Sequence, residues 1–195
     1  MKNINKSKLL ISELFKQKLI IPSLRKLRDL DTALESSAPA LYLSNVHIGN
    51  LKSITERCHQ KNKLVFVHTK LIGGFKADQT GIKLLKNSYK VDGLFSTNPQ
   101  TISSAQKEGL FAIQRLFFMD SISTDYALDN LKNSNPDACE LLPSPIALKV
   151  KDKIKKVAPD IPLLAAGYID NQALVEEIFK SGLDGLTTST KELWP

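Results

Sequence analysis

The sequence predicts an α/β fold, a compact (β/α)8 barrel of the TIM-barrel type forming a single domain. Three observations point there. Eight short, β-rich apolar runs follow one another along 195 residues, each separated from the next by an amphipathic stretch of about a dozen residues, the pattern of repeated βα units on a parallel sheet. No GxGxxG follows the first run, as a dinucleotide-binding doubly wound sheet would require. The last two runs leave into Gly167 and into Thr188-Ser189-Thr190, small and hydroxyl-bearing residues at the place where such barrels often hold phosphate.

The elements are expected in the following order. Residues 1–18 form an N-terminal amphipathic extension with Leu9, Leu10, Leu14 and Phe15 on one face, which leaves two roles open: closing the barrel bottom, or pairing subunits as a homodimer. The barrel domain spans 19–195. Its strands are read at 19–21, 40–44, 63–68, 93–96, 111–117, 138–142, 162–165 and 185–187, with helices starting near Ser23, Asn50, Asp78, Asn98, Ser121, Ser144, Asp170 and, briefly, Thr190. The Asp170 unit is the clearest. Leu174 and Ile178 make an i, i+4 stripe behind that cap, and Gly182 follows as a stop. Asn98-Pro99 places a cap before a proline at the first helical position, and Gly109 ends that helix.

Composition narrows the setting. No apolar run is long enough to cross a bilayer and no signal-peptide pattern precedes the first strand, so a cytoplasmic protein without membrane attachment is expected. Cys58 and Cys139 stand alone, without metal-ligand spacing, and read as buried thiols. The net charge of +7 is unevenly distributed. Residues 1–28 hold eight Lys or Arg against one acid and residues 52–90 nine against two, whereas 91–195 hold ten against fourteen. Two basic blocks of this kind are either a polyanion footprint or solvated helix surface.

In a parallel barrel the chemistry lies beyond the strand exits. The polar residues there are Ser44, Asn45 and His47, then His68 and Lys70, then Ser96 to Asn98, with Gln114, Arg115 and Glu140 inside strands five and six. Glu140 needs a partner in an apolar strand, and Arg115 or Lys70 can supply it. Ala166, Gly167, Thr188 and Ser189 complete the phosphate cradle. One alternative function is a small enzyme acting on a phosphorylated metabolite, with Lys70, His68 and Glu140 as its acid–base set.

Several segments together resemble the glycerol-3-phosphate-responsive antiterminator family of bacterial regulators. They are Leu19 to Arg25, His47 to Leu51, Val67-His68, Ala112 to Phe117 with Asp120-Ser121, Glu140 to Pro143, Ala166 to Ile169 and Thr187 to Ser189. The resemblance implies a barrel fold, a regulator rather than an enzyme, glycerol 3-phosphate as effector with no cofactor or metal, and binding to leader mRNA that prevents transcription termination. It also implies ligand contacts at His47, His68, Gln114, Arg115, Glu140, Ala166, Gly167, Thr188 and Ser189. RNA contacts are expected at Lys83, Lys86 and Lys90, in the second basic block. The chain departs from the family pattern at four positions, carrying Asn45 and Lys70 in place of aspartates, Asn98 in place of arginine and Ser144 in place of glycine. The first two make the expected pocket more positive by about three charge units.

Overall fold

The computed structural model describes residues 11, 13–15 and 17–195, with the Asn133 side chain excepted. Eight parallel strands close into a barrel, in the hydrogen-bonded order β1, β2, β4, β6, β7, β8, β9, β10 and back to β1. They are β1 (Leu19–Leu24), β2 (Ala40–Leu43), β4 (Leu64–His68), β6 (Gly93–Ser96), β7 (Phe111–Phe117), β8 (Ala138–Leu142), β9 (Leu163–Ala166) and β10 (Gly185–Thr188). Two short strands, β3 (Val46–His47) and β5 (Ile72–Gly73), pair outside the barrel. The helices among the described residues are α1 (Leu30–Glu35), α2 (Ile48–Gln60), α3 (Gln79–Asn87), α4 (Pro99–Lys107), α5 (Ser121–Ser134), α6 (Ser144–Val157) and α7 (Gln172–Lys180). The expected 3.6-to-2 alternation of pattern is therefore real, and most strands fall within a residue of their predicted bounds.

Local chemistry explains why the units start and stop where they do. Asp78 accepts the Gly81 N–H at 2.8 Å, Asn98 the Gln100 N–H at 2.8 Å, and Asp120 forms a reciprocal box with Ser123. The α7 cap is Asn171, one residue after the expected Asp170, and accepts the Leu174 N–H at 2.9 Å. Gly109 and Gly182 close α4 and α7 with φ of 75° and 89°, the left-handed region open to a residue without Cβ. The first unit differs most from expectation. β1 continues through Pro22 to Leu24, with Ile21 and Pro22 in register with Thr187 and Thr188, and the first regular helix starts at Leu30 rather than near Ser23.

Strand alternation divides the interior into layers. Leu41, Val65, Ala112 and Leu141 face the helices. Leu19, Ile21, Phe66, Phe95, Phe111, Ile113 and Leu164 fill the barrel. Ile11 and Phe15 from the N-terminal segment are buried in this inner cluster, with the Phe15 ring stacked 5.2 Å from Phe111. The extension therefore floors the barrel. Leu14 is half-buried, whereas Leu9 and Leu10, the rest of the expected face, lie outside the described residues.

The bottom edge repeats one device three times. Asp92, Asp137 and Asp184 each precede a strand and reach back to its neighbour. Their carboxylates accept the N–H of Val65, Ala112 and Leu163 at 2.8, 2.8 and 2.7 Å, while their own N–H groups donate to the same residues' carbonyls. Each satisfies both backbone groups of a strand's first turn into the barrel.

Candidate functional site

Inward positions of the upper strand halves are polar. Arg115 on β7 and Glu140 on β8 are register partners, and the Arg115 Nε donates to Glu140 Oε2. The second carboxylate oxygen, Oε1, accepts from the Thr187 hydroxyl at 2.7 Å. Glu140 has no solvent exposure and the Arg115 side chain only 14%. A buried carboxylate is tolerable because both oxygens are engaged and one partner is a cation. Burial works against the Arg115 charge, yet the Glu140 carboxylate beside it raises the guanidinium's pKa overall. Arg115 also lies 5.4 Å from the Phe117 ring centre. Its terminal nitrogens make no hydrogen bond to a described residue, and Arg115 lines a cavity of about 1090 Å³ at the top of the barrel.

Another part of that cavity's wall is the pair of strand exits expected to cradle phosphate. Gly167 and Tyr168 have φ of 78° and 60°, so the turn after β9 is left-handed at two successive residues. The parallel register of Ala166 with Thr187 directs the Gly167 N–H toward the Thr187 carbonyl, whereas the Ser189 N–H has no acceptor among the described residues, and both residues line the cavity. The hydroxyls of Thr188 and Thr190 serve a different end from the one expected. Both donate to the Ile169 carbonyl, at 2.8 and 3.0 Å, and so lock the two loops together. The Ser189 N–H and its exposed hydroxyl remain for a ligand. The expected short terminal helix is a single 3-10 turn, Lys191–Leu193.

Tyr42 and His68 lie beside the ion pair. Tyr42 lines the cavity and stacks on Phe95 at 4.2 Å and, more loosely, on His68 at 6.5 Å. Burial, reinforced by the Glu140 carboxylate, pushes the Tyr42 phenol upward, so it remains a neutral donor. His68 is pushed down to about 4, by burial first and then by the Arg115 charge, and its Nδ1 accepts the Lys70 N–H at 3.1 Å. A neutral imidazole thus sits beneath the cavity as a structural acceptor.

Three comparisons place this geometry. A family profile described as glycerol-3-phosphate responsive antiterminator matches residues 20–194. The chain belongs to this family. A crystal structure of the glycerol uptake operon antiterminator regulatory protein from Listeria monocytogenes is 31% identical, with a TM-score of 0.84 over 90% of this chain and 94% of that one. An antiterminator-related protein from Thermotoga maritima is 26% identical, with a TM-score of 0.81 over 91% and 98%. The uncharacterized protein YgcP of Escherichia coli K12 is 28% identical over 184 residues, 93% of this chain and 94% of that protein.

For this antiterminator-family chain, the structure sorts the expected ligand residues into three groups. Arg115, Ala166, Gly167, Thr188 and Ser189 line the cavity. Glu140 and His68 lie inside the barrel and act on the wall through Arg115, Thr187 and Tyr42. Gln114 and His47 are elsewhere, which corrects the expectation for both. Gln114 faces the helix layer, where its Oε1 accepts from the Ser134 hydroxyl on α5 and its amide nitrogen has no partner among the described residues. His47 caps α2, its Nδ1 accepting the Gly49 N–H at 3.1 Å.

The charge expectation changes too. Lys70 is exposed on a 3-10 turn outside the cavity wall and Asn98 caps α4, so of the three substituted charges only Asn45 stands in the wall. No hydrogen bond or ion pair joins Lys70, His68 and Glu140 side chains, which leaves the expected acid–base set apart. The RNA lysines are likewise split. Lys83 pairs with Glu108 at 4.0 Å, Lys86 donates to the Gly109 carbonyl at 3.4 Å, and Lys90 is exposed in the following loop.

The cavity also holds residues that were not singled out: Arg25, Lys26, Arg28, Tyr42 and Lys191. The Asn45 amide donates to the Arg25 carbonyl at 3.4 Å and the Ser44 hydroxyl to the Leu24 carbonyl at 2.9 Å, fixing the β1 exit. Lys191 meets Asp29 at 3.1 Å across the mouth. Four cations against Asp29 and Asp170 therefore ring an opening whose inner wall carries Arg115. Among the described residues no His, Cys, Asp and Glu cluster suits a metal ion, and no helix is long and apolar enough to cross a membrane.

Proposed function

We propose that this chain is a glycerol-3-phosphate-responsive regulator that binds leader mRNA in the cytoplasm and prevents transcription termination at genes of glycerol metabolism. The observation that carries the ligand half is the Arg115 guanidinium. It is held at Nε by a fully buried Glu140, its terminal nitrogens have no partner among the described residues, and it lines the same cavity as Gly167 and as Ser189, whose N–H is unpaired. A phosphate dianion in that cavity gains a charge-assisted, planar donor fork from Arg115 and the N–H and hydroxyl of Ser189 at once. Tyr42, Ser23 and Asn45 then offer neutral polar groups to the glycerol hydroxyls. Arg115 acts here as a binder, since its partner carboxylate is consumed by the pair and leaves no free base beside it. Membership of the antiterminator family supports the RNA half of the reading.

Titration calorimetry with glycerol 3-phosphate and with inorganic phosphate tests the ligand half. The ester is expected to bind more tightly than the ion. Gly167→Asp, which sets a carboxylate against the phosphate, is expected to lower affinity by about 100-fold or more. Undiminished affinity in that variant places the ligand elsewhere.

A further inference from the structure

Outside the cavity, the most highly charged helix is α6. It carries five lysines and one aspartate, whereas α5 and α7 each carry more acid than base. Two of the five lysines are used within the chain. Lys155 donates to the carbonyls of Pro159 and Ile161, and Lys151 meets Asp152 at 3.0 Å. The other three, Lys149, Lys153 and Lys156, are exposed and opposite the buried Ala147, Val150 and Ile154. None of the three has a hydrogen bond or ion pair with a described residue. Their i, i+4, i+7 spacing makes a stripe about 10 Å long with neighbouring Cβ atoms about 6 Å apart. Like charges at those spacings weaken an isolated helix slightly, so a polyanion laid along this face relieves their repulsion as well as pairing with them.

The same helix is fastened to the cavity wall. Ser144, its first residue, donates to the Gly167 carbonyl twice, from N at 3.3 Å and from Oγ at 2.7 Å. Gly167 lines the cavity, and its C=O receives α6. A ligand that draws this peptide inward therefore acts on the joint.

We propose that Lys149, Lys153 and Lys156 form the face on which this chain takes the phosphodiester backbone of RNA, and that the Ser144–Gly167 joint makes that binding depend on cavity occupancy. The inference rests on the antiterminator reading for its choice of RNA. Contacts of this kind position a backbone and are sequence-independent, so their signature is salt dependence rather than base preference.

The test is fluorescence anisotropy of a labelled RNA hairpin with the full chain, from about 50 to about 200 mM salt. K149E/K153E/K156E is expected to cut affinity by at least about tenfold at the lower salt and to flatten the log–log salt slope by about two to three. K149R/K153R/K156R keeps the charges and is expected to restore both. K83E/K86E/K90E is expected to have the smaller effect, because two of its lysines are engaged. Glycerol 3-phosphate titration of the charge-reversed α6 variant reports that the fold and cavity are intact. An unchanged slope in that variant overturns the α6 face, even if the unmodified chain binds RNA in an effector-dependent way and the antiterminator reading stands. If the unmodified chain ignores the hairpin, or prefers duplex DNA or anionic vesicles to it, both fail. For the joint, Ser144→Ala is expected to shrink the change in RNA affinity that glycerol 3-phosphate produces, and an undiminished change overturns it.

Discussion

The two ends of the barrel are made from alternate inward positions of the same strands, and they are finished in opposite ways. At the floor, Phe15, Phe66 and Phe111 fill the space with aromatic contacts, and Asp92, Asp137 and Asp184 satisfy the strand backbones. At the mouth, the next inward positions are Tyr42, His68, Arg115, Glu140 and Thr187, and above them the Ser189 N–H and the terminal nitrogens of Arg115 have no partner among the described residues. The floor thus completes its own chemistry, and the mouth leaves chemistry for a ligand to complete. Since one strand set supplies both, stability and function are separable by position along each strand.

The largest break in that comparison is expected at the floor. Phe111→Ala removes a fully buried ring that touches Phe15 and Phe66 and is expected to cost about 3–5 kcal/mol of stability, read by urea unfolding. Glycerol 3-phosphate affinity of the folded fraction is expected to change little. An equal loss of both would join the two ends energetically.

The ends should also answer pH with opposite signs. His68 at the mouth has its pKa lowered to about 4, against an ordinary value of 6.5, chiefly by burial. The folded state thus resists a proton that the unfolded chain accepts. Its contribution is complete above pH 6.5 and is lost as pH falls toward 4, by about 2–3 kcal/mol. His59 on α2 behaves in reverse. Its Nε2 lies 2.9 Å from Asp92, and that hydrogen bond raises its pKa. Its contribution is present below pH 6.5 and fades as pH rises through the higher folded value, by a few tenths of a kcal/mol, roughly, because the pair is solvent-screened. Unfolding curves from pH 4 to 9 for His68→Phe and His59→Gln separate the two: the first should flatten the acid side, the second the neutral side.

A smaller effect is expected at one bottom clamp. Asp137→Ala frees the Ala112 N–H and is expected to cost about 1–2 kcal/mol, measured by the shift in urea midpoint with ligand affinity unchanged.

Much of this architecture is legible in the sequence because each unit carries its own punctuation. Asp78, Asn98-Pro99, Asp120 and the Gly109 and Gly182 stops fix units whose apolar runs alone would be ambiguous. The first unit resists because Pro22 reads as a strand end. In the structure the proline occupies a strand position, β1 runs on to Leu24, and Arg25 becomes a strand-exit residue at the cavity instead of a helix residue. Parity was available for Gln114. Neighbours on a strand face opposite ways, so once Phe111 and Ile113 point inward Arg115 does too and Gln114 cannot. The hydroxyls of Thr188 and Thr190 were legible as donors, but not their acceptor. The Ile169 carbonyl that takes both lies across a long-range contact no local pattern encodes. Likewise the free stripe on α6 is hidden by counting charge over residues 91–195, where nearby acids cancel it.

The separation of floor from mouth is tested most directly by replacing the ion pair with apolar residues of similar size. Buried ion pairs gain little over well-packed hydrophobic groups, so Arg115→Met with Glu140→Leu should fold with a melting temperature within a few degrees, roughly, of the unmodified chain. In calorimetry the same variant should lose glycerol 3-phosphate binding by about 100-fold or more, since a charge-assisted anchor is gone. A variant that folds and still binds the ester with its original affinity would contradict the assignment of Arg115 as the phosphate anchor.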